Sequence, residues 1–174
     1  PALRELSLAL DSEDGSVIPA LASATWAGLE RLALETPVTI SADLHALSAA
    51  AARFPALRAL DLRCPDLENC GDALAELFEA FGERLVHLSI ERCSIDFRSL
   101  AGLAMAALPR LETLSLSGCN LGADGLHLLA RTPPGRMPRL RTLNLTGVYG
   151  DRAFFEARAP AAFPLLDLAT GVRW

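Results

Sequence analysis

The sequence predicts an α/β fold: a solenoid forming a horseshoe segment, with a parallel sheet on its concave face and helices on its convex face. Three observations predict it. A short pattern of Leu, two residues, Leu, one residue, Leu returns along the whole chain. Apolar residues at helical spacing fill the intervals between its copies. Proline stands at four of the junctions where an interval returns to the pattern, and proline stops a helix and extends the residue before it.

The copies are Leu3/Leu6/Leu8, Leu29/Leu32/Leu34, Leu57/Leu60/Leu62, Leu85/Leu88/Ile90, Leu111/Leu114/Leu116 and Leu140/Leu143/Leu145, with a decayed seventh at Phe163/Leu166/Leu168. Their first positions lie 26, 28, 28, 26, 29 and 23 residues apart. Alternation of apolar and polar residues marks a strand with one buried face, so strands are expected near 4–8, 30–34, 58–62, 86–90, 112–116 and 141–145 in one parallel sheet. Helical segments follow, clearest over Ala42–Phe54, Asp72–Phe81 and Ser99–Leu108, with Asp43, Asp72 and Asp96 near their starts, where a carboxylate caps free amides. The return markers are Phe54-Pro55-Ala56-Leu57, Leu108-Pro109-Arg110-Leu111, Met137-Pro138-Arg139-Leu140 and Phe163-Pro164-Leu165. One repeat cannot bury its own apolar face, and stacked neighbours supply the core. The expected domain is 1–174, six full repeats and a partial seventh. Pro1-Ala2-Leu3 is a return marker without its apolar leader, which reads as a fragment of a longer chain with an uncapped N-terminal edge suited to self-association.

The chain has 174 residues, 16 basic against 21 acidic, for a net charge of -5. That balance, without a basic run, argues against nucleic acid and against an anionic membrane surface as partners. Charges interrupt each apolar stretch before the roughly 20 residues of a spanning helix, so no membrane partner is expected. There are 34 Leu and 30 Ala, and all the basic residues are Arg, Lys being absent. Codon composition explains the bias most simply; a protein working among ubiquitin-conjugating enzymes would also gain from lacking acceptor amines.

Leu111-Glu112-Thr113-Leu114-Ser115-Leu116-Ser117-Gly118-Cys119-Asn120-Leu121-Gly122-Ala123-Asp124-Gly125-Leu126 resembles the ribonuclease-inhibitor and cysteine-containing classes of leucine-rich repeat, in which Cys or Asn follows the strand and Gly-x-x-Gly-Leu opens the outer helix. Leu85–Ile95 matches the first half, whereas Asp11, Pro37, Pro65 and Val148 stand where Cys93 and Cys119 stand. The resemblance implies protein recognition. Within it lie inhibitors, immune sensors, substrate arms of F-box ubiquitin ligases, bacterial effectors and the GTPase activator of the Ran cycle, which works through an Asn (here Asn69 or Asn120) and acidic contacts.

Cys93 and Cys119 occupy equivalent positions and are expected to be buried, free thiols. Cys64 and Cys70 are five residues apart, which is not a zinc spacing, so no metal and no cofactor are expected and a reduced, cytoplasmic protein fits best, or one delivered into a host cytosol. His45 and His127 fall in helices. His87 falls on the strand face, with Glu91, Arg92 and Asp61 nearby, but without a nucleophile or metal it makes no catalytic site. Gly118, Gly122 and Gly125 lack the spacing of a phosphate loop. Trp26 and Phe155 lie outside the strands and pack the convex layer.

The outward strand positions two, four and six places after each first Leu carry the expected binding face. The candidate partner-binding residues are Glu5, Arg31, Glu35, Asp61, Arg63, His87, Glu91, Arg92 and Asn144, mixed charge in the first four copies giving way to hydroxyls and an amide (Thr113, Ser115, Ser117, Thr142, Asn144, Thr146). Arginines set among carboxylates suit specific recognition. The expected function is a noncatalytic scaffold that recognises a protein partner through this face. The alternatives are the substrate arm of a ubiquitin ligase or bacterial effector, and a GTPase activator of the Ran type.

Overall fold

A computed structural model describes residues 3–10, 17–36, 41–122 and 124–174. Pro1-Ala2, Asp11, Pro37 and Ala123 lie outside them. The elements run β1 (Glu5–Ala9), α1 (Val17–Ser23), β2 (Arg31–Glu35), α2 (Ser41–Ala49) with a 3-10 turn at Ala51–Arg53, β3 (Ala59–Arg63), α3 (Gly71–Phe81), β4 (His87–Ile90), α4 (Phe97–Met105), β5 (Thr113–Ser115), α5 (Gly125–Ala130), β6 (Thr142–Asn144), α6 (Arg152–Ala162) and β7 (Val172–Arg173). Among the described residues the class is α/β, with six helices and one seven-stranded sheet whose strands lie in chain order. Every neighbouring pair is parallel.

Each of the six expected strands begins one residue later than the leucine pattern suggests. The first Leu of each copy belongs to the turn before its strand: the Leu29 amide donates to the Trp26 carbonyl and the Leu57 amide to that of Phe54, before sheet pairing starts at Arg31 and Ala59. From the second copy to the sixth all three apolar positions are nevertheless buried, completely so at Leu57, Leu60 and Leu62, whereas Leu3 of the first is exposed. The buried apolar side chains form one cluster from Ile18 to Val172. In β1, by contrast, Leu6 and Leu8 are only half-buried. Phe54, Phe78 and Phe81 fill the layer between the early strands and helices, with the rings of Phe54 and Phe81 6.2 Å apart.

The decayed seventh triplet forms no strand of its own. Phe163 and Leu166 are buried as its leucine positions should be. Asp167 folds the chain into a turn, accepting hydrogen bonds from Ala169 N at 2.9 Å and Thr170 Oγ1 at 2.7 Å. The last strand forms only at Val172–Arg173, where Val172 pairs with Leu143.

Of the expected caps, Asp96 acts as one: it accepts from Ser99 N at 2.8 Å, and its other oxygen accepts from Asn69 N at 3.1 Å in the preceding loop. Asn69 takes a left-handed φ of 62° there, a geometry Asn tolerates. Asp72 and Asp43 instead lie inside the first turns of their helices. Asp151 caps α6 by accepting from Phe154 N at 2.9 Å. Among the described residues no helix is long and apolar enough to cross a membrane.

Candidate functional site: the open face of the sheet

The leucines turn to one side of the sheet, and their alternates form columns on the other. Glu5, Arg31, Ala59, His87, Thr113 and Thr142 stand opposite one another in register, as do Ser7, Ala33, Asp61, Ser89, Ser115 and Asn144. The columns expected from spacing are therefore real. They floor a trough of about 660 Å3.

Two polar arrays cross this floor. In the first, Arg31 Nε donates to Asp61 Oδ2 at 2.8 Å across β2 and β3. This hydrogen bond, and then the charge of Asp61, push the Arg31 pKa upward. The second is longer. The Arg63 guanidinium lies 3.8 Å from Glu35 and 3.5 Å from Glu91. Glu91 accepts from Ser115 Oγ at 2.8 Å, and Ser115 Oγ in turn accepts from Asn144 Nδ2 at 3.2 Å. Asn144 Oδ1 takes the hydroxyl of Thr146 at 2.8 Å. An unbroken chain of contacts thus runs from β2 to the loop beyond β6. Apart from Asn144 with Thr146, the pairs join neighbouring copies across the sheet, the unit that stabilises a sheet surface.

These arrays join Arg31, Glu35, Asp61, Arg63, Glu91 and Asn144, and leave three expected residues apart. Glu5 is exposed on β1 and reaches Arg31 only through its charge. His87 is exposed and forms no hydrogen bond or ion pair among the described residues. The expected cluster of Asp61, Glu91 and Arg92 around it does not form, because Asp61 turns to Arg31 and Glu91 to Arg63 and Ser115. Arg92 sits beyond β4 with a φ of 57° and its amide on the Ser117 carbonyl at 2.9 Å; it lines not the trough but a neighbouring groove at the downstream ends of the strands, with Glu35, Arg63 and Glu91. Arg173 on β7 also lines the trough; the seventh leucine triplet pointed elsewhere, and only the alternation of Val172 with Arg173 could have revealed it.

Beneath the downstream edge lie the thiols. All four cysteines are free and buried. Cys119 Sγ donates to the Ile90 carbonyl at 3.0 Å and Cys93 Sγ to that of Glu91 at 3.1 Å. Cys64 joins this pair rather than a loop of its own: contact with Cys93, then burial, push the Cys64 and Cys119 thiols up, while the same contacts pull Cys93 down. Burial raises Cys70 as well. Among the described residues no group of three His, Cys, Asp or Glu side chains could hold a metal ion. His45 and His127 lie in α2 and α5 as expected, His45 Nδ1 2.7 Å from Glu76 and His127 Nε2 3.7 Å from Asp151. Asn120 is engaged locally, its Oδ1 accepting from Gly122 N at 3.2 Å, and the backbone amide of Asn69 donates to Asp96.

No family model matches the chain. The chain is similar to the antagonist of mitotic exit network protein 1 of Eremothecium gossypii, 32% identical over 141 residues, which are 81% of this chain and 35% of that protein. The chain thus spans about a third of the length of the curated relative it matches.

Proposed function

We propose that this chain is a leucine-rich repeat solenoid segment that holds a protein partner on the open face of its sheet and catalyses nothing. The observation that carries the reading is the polar chain from Glu35 through Arg63, Glu91 and Ser115 to Asn144 and Thr146. Its members are already ordered by one another, so a partner would not have to immobilise them at the usual cost of about 0.5–1.5 kcal/mol per side chain. Arg63 is 54% exposed while shared between two carboxylates, and can exchange one of them for an acid of the partner. The Ser and Thr hydroxyls offer contact that adapts to shape. Buried free thiols fit a reducing cytoplasm.

The test is capture of partners from a lysate on the immobilised chain, followed by titration of an identified partner against Arg63→Glu/Arg92→Glu. Binding should weaken by more than about 2 kcal/mol, the scale of an interface hot spot. Arg98→Glu and Arg131→Glu, on the helical side, should leave it unchanged. Loss confined to the helical variants would move the site to the other face.

A further inference from the structure

The arginines are not spread evenly. Arg58, Arg84, Arg110, Arg136, Arg139 and Arg141 all lie in the turns that lead into β3, β4, β5 and β6, along the upstream rim of the sheet. Backbone hydrogen bonds tie this rim together: Val86 N to Arg58 O at 2.8 Å, Glu112 N to Val86 O at 2.9 Å, Arg141 N to Glu112 O at 2.9 Å and Leu108 N to Arg136 O at 2.8 Å. Among the described residues, Glu83, Glu112 and Asp167 are the carboxylates in the turns leading into β4 to β7, and Asp167 is turned onto Thr170 and Ala169. None of the six arginines forms an ion pair among the described residues. Arg84 spends Nη2 on the carbonyls of Ala51 and Ala80, both at 3.1 Å, and burial, then the charge of Arg58, push its pKa down. The other rim differs, because Asp96 and Asp151 there cap helices. Arg84 also packs over the Phe81 ring; the other five make no side-chain hydrogen bond or ion pair among the described residues, although Glu30 and Glu112 are backbone neighbours of Arg58 and Arg141.

We propose that this upstream rim is a second binding surface, separate from the sheet face, that takes an extended acidic segment of a protein partner. Its reach supports a short segment: from β3 to β6 is three strand spacings, about 15 Å, the length of about five extended residues. The overall charge of -5 repels a long polyanion, whereas a short acidic stretch on the rim lies within about 8 Å of the arginines, where screening leaves their attraction intact. The guanidinium fork suits carboxylates directly. Glu112, set among the arginines, makes register matter by rejecting a misplaced acid.

The experiment is a fluorescence anisotropy titration of the whole chain with a labelled octaglutamate peptide. Arg110→Glu/Arg139→Glu should weaken binding at least about tenfold, equal to about 1.4 kcal/mol. Arg98→Glu/Arg158→Glu makes the same change of net charge away from the rim and should shift it less than about twofold. Melting curves accompany each variant; should the rim double variant unfold, the single neutral change Arg139→Gln is expected to weaken the peptide alone. No binding by the native chain, or equal loss in both double variants, overturns the proposal. Tighter, rim-dependent binding of phosphatidylserine vesicles or of a DNA duplex than of octaglutamate overturns the assignment to an acidic protein segment.

Discussion

Replacing Asp96 by Ala tests how the loops before the helices are held. Asp96 joins two elements: one oxygen caps α4 at Ser99 N, 2.8 Å away, and the other holds Asn69 N, 3.1 Å away, in the loop before α3. Losing a cap costs about 1 kcal/mol. A hydrogen bond to a charged acceptor is worth about 1.5 kcal/mol or more, taken here below that figure because the Asn69 side is exposed and its amide then turns to water. The sum is about 2 kcal/mol, which for a chain of this size lowers the melting temperature by about 4–8 °C. The sign with pH follows from the titration of Asp96. Burial works to raise its pKa, but the hydrogen bonds from Ser99 and Asn69 outweigh that and hold it below the ordinary value. The contribution is therefore complete above the unfolded value of about 3.9 and disappears as pH falls through the lower folded value. Urea melts of the native chain and Asp96→Ala should differ most near neutrality and converge in strong acid. Asp96→Asn, which keeps an acceptor but no charge, should fall between them and vary least with pH. A deficit at neutral pH below about 0.5 kcal/mol would refute the reasoning.

Two further outcomes follow from the packing. A Cβ at Gly82 would stand 2.3 Å from the Phe78 carbonyl oxygen and 2.6 Å from that of Ala107; both are backbone atoms that cannot swing aside, so Gly82→Ala should destabilise by about 1–3 kcal/mol in the same urea melt, whereas a neutral result would mean the turn after α3 yields freely. The four thiols, each at most 2% exposed, should react with a thiol reagent only slowly in the native chain and completely in denaturant, and rapid native labelling would show that the layer over them opens.

The leucine triplets determined the parallel sheet and its register, because burial of one strand face recurs every second residue and a slip of one would put every Leu in water. From the same triplets came the membership of the open face: Glu5, Arg31, His87, Asp61, Ser115 and Asn144 stand where simple counting places them. Tertiary structure alone decided which of these residues touch. Spacing allowed Asp61 to meet His87 or Arg31, and the diagonal reach of the longer arginine side chain across adjacent strands chose Arg31. Cys64 joined Cys93 although the pattern puts Pro65 in that register, since a buried sulfur turns to whichever neighbour the packing leaves beside it. The last strand forms at Val172, not at the Leu166 triplet, because Asp167 finds three donors in a turn: the Ala169 amide and the Thr170 hydroxyl at its carboxylate, and the Gly171 amide at its carbonyl. Two arginines of the rim, Arg110 and Arg139, stand in Pro-Arg-Leu return markers and the other four in the residues around the returns, but their charge becomes one surface only when parallel pairing sets those turns side by side, because distance in space, and not along the chain, governs electrostatic interaction.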